Sequence, residues 1–105
     1  MPVVVAHGEG RVEERASSSQ TLLDQCLACL RFVDADEKPS EIYPINPSGS
    51  ALGLNGFTNE DGRFTILMPH PERIFRSIQN SWQSPDWGEY SPWMRLFRNA
   101  RKWLR

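Results

Sequence analysis

The chain has 105 residues, of which 39% are apolar and 24% charged, and its formal net charge is −1. This composition is close to that of an ordinary soluble domain and argues against collagen-like, coiled-coil and highly charged disordered chains. The near-neutral charge gives no electrostatic case for a nucleic-acid binder, and no apolar stretch approaches the roughly 20 residues that a bilayer span needs.

The predicted elements begin with Val3–Ala6, a short apolar run that is typical of a strand buried on both faces in a parallel sheet. Serines 17–19 offer N-caps for a helix over Gln20–Cys29. Its apolar residues fall at helical spacing and predict a buried stripe of Leu22, Leu23, Cys26 and Leu27.

Three further elements follow along the chain. Leu30–Val33 alternates like a strand, and 54–58 and 63–68 flank the turn Asn59–Gly62, which predicts a β-hairpin. Pro92 opens a C-terminal amphipathic helix. The residues that share its apolar face are Trp93, Leu96, Phe97, Ala100 and Leu104. The predicted fold class is α/β, with a central, mostly parallel sheet, a hairpin and this helix.

The strongest candidate for catalysis is Met68-Pro-His-Pro-Glu-Arg73, directly after an apolar strand. The two prolines restrict the backbone around His70 and favour extended geometry, in which His70 and Glu72 face the same side. A carboxylate beside an imidazole fixes its tautomer and stabilises the imidazolium, as in the base and orienting residue of a nucleophilic triad. A structural histidine or a surface ion pair is the alternative interpretation.

Cys26 is predicted to fill the core and Cys29 to lie in the core or at its boundary, in preference to redox or metal-binding roles. Cys26-Leu-Ala-Cys29 precedes the His-x-Glu pair, which is the wrong order for a zinc deaminase. Neither cysteine has a glycine within two positions, so neither lies in a nucleophile elbow. We therefore expect no nucleophile in this chain. Free cysteines and the absence of a signal peptide predict a reducing, cytoplasmic setting.

A second candidate site is His7-Gly8-Glu9-Gly10, at the carboxyl end of the first predicted strand. Glycines allow close backbone approach, and open α/β sheets bind ligands at such strand ends. A simple polar turn is the alternative. The dense tryptophans between 82 and 93 suggest contact with another surface. The last fourteen residues hold five cations and no acid, which could form a docking face for an acidic partner. We favour a solvated helix face, whose cations suit the C-terminal end of the helix dipole.

Six sets of segments along the chain form a pattern: Val3–Arg11, Tyr43–Pro47 with Gly49-Ser50, Met68–Arg73 with Phe75-Arg76, Asn80–Trp82, Trp87–Glu89 and Pro92–Arg101. Together they resemble the C-terminal end of phosphoribosylformylglycinamidine synthase, the large single-chain enzyme family of purine biosynthesis. The resemblance covers essentially the whole chain, and its Pro-His-Pro-Glu-Arg motif is shared with other class I glutamine amidotransferases.

This resemblance implies that residues 1–105 are the C-terminal portion of a class I glutamine amidotransferase domain with a flavodoxin-like fold. His70 and Glu72 would match the triad histidine and glutamate, with glutamine as substrate and the nucleophilic cysteine upstream. His7 and Gly8 would lie near the substrate. The chain itself would hold no cofactor, since ATP and Mg²⁺ belong to the family's synthetase domain, which receives the ammonia.

The resemblance also implies partners: the rest of the synthase chain, with its synthetase domain and upstream glutaminase half, but no nucleic acid and no membrane. The isolated chain would be inactive. The competing hypothesis is a non-catalytic interaction module that docks to a synthetase or glutaminase partner through the tryptophan-rich segment and the basic helix. A stand-alone hydrolase that uses Cys26 or Cys29 is a weaker third hypothesis.

Overall fold

A computed structural model of the chain describes residues 1–7, 10–14 and 18–104. It divides into two compact units, one of Met1–Val4 with His70–Arg105 and one of Val5–Pro69. The helices and strands are α1 (Ser19–Asp24), β1 (Ala28–Arg31), β2 (Leu54–Thr58), β3 (Thr65–Leu67) and α2 (Met94–Trp103). Short 3₁₀ turns lie at Ala51–Gly53, Pro71–Arg73 and Ser77–Gln79.

Helix α1 is shorter than predicted because the chain turns directly after it. Ser18 caps the helix, its hydroxyl accepting the Thr21 amide at 3.2 Å. The helix ends at Asp24, and Cys26 takes a left-handed backbone with φ of 57°. A non-glycine residue rarely adopts this geometry, so no sequence signal marked the turn. The predicted helix to Cys29 is therefore wrong.

The sheet has the order β1-β2-β3, and every strand pair among the described residues is antiparallel. The hairpin is confirmed: Phe57 pairs with Ile66, and the turn ends at Gly62, whose φ of 72° suits a residue without Cβ. The prediction of a mostly parallel sheet is not confirmed. Residues 3–6 are half-buried to exposed and form no strand, so the apolar run misled the assignment.

A polar loop in the Val5–Pro69 unit is held together by the buried side-chain amide of Asn46. Asn46 is 1% exposed, and its side chain donates to the carbonyls of Ser40 at 3.0 Å and Ser50 at 2.9 Å. Gly53 follows in a left-handed conformation, where a Cβ would lie 2.7 Å from the Phe32 carbonyl oxygen. Side-chain hydrogen bonds therefore shape this loop around a small apolar core of Phe32 and Leu54.

The other unit packs Ile74, 3% exposed, and Trp93, 8% exposed, beneath its turns. Helix α2 extends from Trp93, which confirms the predicted C-terminal helix. Its predicted apolar face is largely open, however, because no residue between Met94 and Trp103 is buried. None of the helices in the described part of the chain is long and apolar enough to cross a membrane.

Candidate active site

The side chains of His70 and Glu72 meet. His70 Nδ1 lies 2.7 Å from Glu72 Oε1, and the two side chains are 34% and 55% exposed. The backbone between them is not the predicted extended segment. Pro71 opens a 3₁₀ turn through Arg73, with its fixed φ suited to that first position. The predicted pairing is therefore present, but a tight turn brings it about.

Backbone hydrogen bonds fix this turn on both sides. The His70 amide donates to the Val4 carbonyl at 2.7 Å, and the His70 carbonyl accepts from the Arg73 amide at 3.1 Å. The Ile74 amide closes the turn on the Pro71 carbonyl at 3.2 Å, and both of these residues are buried. The main chain under the imidazole is thus anchored, while the ring reaches solvent.

A second layer of contacts holds the segment that carries Val4. The Trp93 indole N–H donates to the Pro2 carbonyl at 2.7 Å, across 91 positions of sequence. The Ser91 hydroxyl donates to the Ile74 carbonyl at 2.6 Å and accepts the Trp93 amide at 3.3 Å. Sequence reasoning missed Trp93 and Val4 as supports of the pair. In the sequence, only the density of tryptophans between 82 and 93 indicated that this segment contacts another surface, and it did not identify the contact.

The pair has a defined tautomer and a defined charge. A carboxylate only accepts hydrogen bonds, so His70 Nδ1 carries the proton and Nε2 presents its lone pair as a base. The hydrogen bond from His70 lowers the pKa of the Glu72 carboxyl below its usual range, and a backbone hydrogen bond adds to the shift. Glu72 is therefore ionised at neutral pH and orients the imidazole of His70 through this hydrogen bond.

His7 lies in the Val5–Pro69 unit, whereas His70 belongs to the other unit. Its Nδ1 accepts the Gly10 amide at 3.0 Å, and a Cβ on Gly10 would come within 2.4 Å of that nitrogen. The neutral ring therefore carries its proton on Nε2, which is buried without a partner among the described residues. Gly8, the other residue of this candidate site, lies outside the described residues.

Both cysteines are exposed, so the prediction that Cys26 fills the core is wrong, and Cys29 lies outside the core. Cys26 lies in the turn after α1 and Cys29 on β1, so they do not share a buried helical stripe. Partial desolvation raises the pKa of the Cys29 thiol, which disfavours the thiolate. That shift gives no support to a nucleophile at Cys29.

The described residues contain no group of three or more His, Cys, Asp or Glu side chains that could hold a metal ion. His70 and Glu72 have the arrangement of a base with an orienting carboxylate. Such a pair can take a proton from a nucleophile and return it to a leaving group.

One family comparison bears on this geometry. The family model described as a CobB/CobQ-like glutamine amidotransferase domain matches residues 1–104, almost the entire chain. The match includes both histidine motifs, the hairpin and helix α2.

Proposed function

Because the chain belongs to the CobB/CobQ-like glutamine amidotransferase family, we propose that His70 and Glu72 are the base and the orienting carboxylate of a glutamine-hydrolysing site. The observation that carries this proposal is the 2.7 Å contact between His70 Nδ1 and Glu72 Oε1. With Nδ1–H directed at Glu72, the neutral imidazole has its lone pair on Nε2, and the side chain is 34% exposed, which suits a base toward a thiol.

In this mechanism His70 transfers one proton in each of two half-reactions, from the thiol to ammonia and then from water to the cysteine sulfur. Nε2 takes the proton of a cysteine thiol supplied from upstream sequence, and the thiolate attacks the side-chain amide carbon of glutamine. The imidazolium then gives its proton to the departing nitrogen as the C–N bond breaks, which releases ammonia and leaves a thioester. Water, deprotonated by the same Nε2, cleaves the thioester to glutamate and regenerates the thiol. Glu72 stabilises the imidazolium during each transfer.

We also propose the finer assignment to the glutaminase part of a phosphoribosylformylglycinamidine synthase. Its support is the resemblance of the motifs along the chain, above all the tryptophan-rich C-terminal segment. In that setting the ammonia serves the ATP-dependent conversion of formylglycinamide ribonucleotide to formylglycinamidine ribonucleotide. ATP and Mg²⁺ act in the synthetase domain, and this chain contributes neither site.

His7 and Gly8 form the proposed substrate-proximal region. The Nε2–H of His7 has no hydrogen-bond partner among the described residues, which supports this role, because a buried donor without an acceptor costs about 1–3 kcal/mol. A glutamine carboxylate or amide oxygen is an acceptor that would satisfy this donor. Glutamine affinity should therefore fall in His7→Ala while the rate constant of the bound complex changes less.

The test is a glutaminase assay on the chain alone and after mixing with the upstream fragment of its domain. We expect no ammonia above buffer from the chain alone, and restored ammonia release in the mixture. His70→Ala should abolish the restored activity, whereas Arg63→Ala, a change on the exposed hairpin turn, should preserve it. Ammonia release by the isolated chain that His70→Ala removes would contradict the requirement for an upstream nucleophile.

A second candidate is the non-catalytic interaction module, and the open apolar face of α2 is the observation that favours it. In that case the chain would bind a synthetase or glutaminase partner without completing a triad. Binding of the upstream fragment without restored activity would support the module over the split enzyme.

A further inference from the structure

A groove of about 460 Å³ lies beside strands β2 and β3 in the Val5–Pro69 unit. Phe57 pairs with Ile66, and the Met68 amide donates to the Asn55 carbonyl, so these four side chains lie on one face of the sheet. The groove's apolar lining is formed mainly by Leu22, Leu27, Phe57, Ile66, Leu67 and Met68. Ile66 is 69% exposed, so the groove is open at the edge strand β3.

The polar atoms of the groove favour an occupant that brings hydrogen-bond donors and positive charge. Its described lining contains two carboxylates, Glu13 and Glu14, and neither lysine nor arginine. Asn55 also lines it, is 3% exposed, and has a buried Oδ1 without a hydrogen-bond partner in the described part of the chain. An unsatisfied buried acceptor and an acidic rim both favour a partner that brings N–H groups and positive charge.

Helix α2 has the complementary chemistry. Leu96, Phe97 and Leu104 are 38%, 40% and 72% exposed, and with Ala100 they form one apolar stripe at helical spacing. Arg101 borders the stripe, and the helix carries four cations without an acid. Its described residues thus present an amphipathic helix with apolar anchors and donors, the form that enters apolar grooves.

We propose that α2 of one copy of this chain docks in the groove of a second copy, and that its own groove receives the partner's α2. Charge complementarity between the acidic rim and the basic helix favours this occupant over an uncharged helix. A two-fold arrangement forms both contacts at once and closes the assembly at a dimer. The proposal does not depend on glutamine hydrolysis.

Complementation between two blocked variants tests the arrangement. Ile66→Asp blocks the groove and leaves the helix intact, whereas Phe97→Asp blocks the helix and leaves the groove intact. Sedimentation velocity should show wild-type dimers, with either variant associating at least about tenfold more weakly. An equimolar mixture of the two variants should regain a heterodimer, because one intact helix meets one intact groove.

Matched controls separate docking from general surface effects. Ile42→Asp and Ile78→Asp introduce the same charge at positions that are 73% and 86% exposed, outside the groove and outside α2. They should dimerise like the wild type. Circular dichroism of every variant confirms that it is folded.

Charge reversal gives an independent measurement. Glu13→Lys and Arg101→Glu should each weaken dimerisation about tenfold or more, and the double variant should recover most of the loss. Glu60→Lys, on the hairpin turn, and Lys102→Glu, on the opposite face of α2, are the matched controls. Added salt should weaken wild-type association.

Three results would overturn the proposal. One is a wild-type chain that stays monomeric across the concentration range. Another is a mixture of the two blocked variants that fails to associate. The third is a loss of dimerisation in Glu13→Lys and Arg101→Glu that is not restored in the double variant.

Discussion

Replacing Trp93 with phenylalanine should loosen the support beneath His70. The indole N–H of Trp93 donates to the Pro2 carbonyl at 2.7 Å, and two residues later the Val4 carbonyl accepts the His70 amide at 2.7 Å. Trp93 is 8% exposed. Phenylalanine keeps an aromatic ring at this buried position but removes the indole N–H donor. The anchor of residues 2–4 is lost without a polar group being introduced.

The expected destabilisation has two parts. A net hydrogen bond contributes about 0.5–1.5 kcal/mol, with the Pro2 carbonyl free to rehydrate because that residue is exposed. The smaller ring adds a cavity cost of about 1–2 kcal/mol, well below that of a change to alanine. The free energy of unfolding should therefore fall by about 1.5–3.5 kcal/mol, a large fraction of a small domain's stability.

Two assays follow this change. Urea unfolding gives the free energy, with Trp82→Phe as the control, since Trp82 is 62% exposed and a surface change of this kind costs about 0.5 kcal/mol or less. Native-state amide exchange reports the local effect: the His70 amide should exchange about 10–100-fold faster in Trp93→Phe. The Thr58 amide, bonded to the Leu27 carbonyl in the other unit, should change less. Equal losses in the two variants, or an unchanged His70 exchange rate, would refute the reasoning.

Two more predictions concern the loop glycines and the ionised pair. Gly53→Ala should lower the free energy of unfolding by more than about 1 kcal/mol, because its φ is 71° and a Cβ would lie 2.7 Å from the Phe32 carbonyl. Gly49→Ala should lower the free energy of unfolding by less, because Gly49 has a φ of 66° but open space around it. Similar urea midpoints for the two variants would contradict this expectation. The folded-state pKa of Glu72 lies below its usual value of 4.5, so its stabilising contribution is present above that value and is lost as the pH falls through the folded-state pKa. The difference in urea midpoint between wild type and Glu72→Gln should therefore be larger near pH ~6 than near pH ~3, and a difference independent of pH would count against the pairing with His70.

Local signals predicted the parts of the fold that depend on nearby residues. The Asp-Gly turn and its flanking alternation gave the hairpin, and Pro92 with its helical spacing gave α2. The end of α1 escaped prediction because Cys26 adopts a left-handed backbone without the usual glycine. Residues 3–6 resembled a strand of a parallel sheet by composition. In the structure, the Val4 carbonyl accepts a hydrogen bond from the His70 amide.

The site shows the same division between local and distant determinants. The pairing of His70 with Glu72 was predicted because the two residues are close in sequence and bracketed by proline. Its geometry was not, because a 3₁₀ turn depends on the burial of Pro71 as well as on its fixed φ. The support from Trp93 crosses 91 residues, and no periodicity or motif in one sequence encodes such a contact.

The central claim is that His70 is the base in glutamine hydrolysis, and the rate constant of the reconstituted enzyme tests it most directly. His70→Asn keeps a side chain of similar polarity but lacks a basic nitrogen. Steady-state kinetics of the chain combined with its upstream fragment should show kcat reduced by roughly 10²–10⁴-fold, with KM little changed. A kcat within about twofold of the wild type would contradict the assignment of His70 as the base.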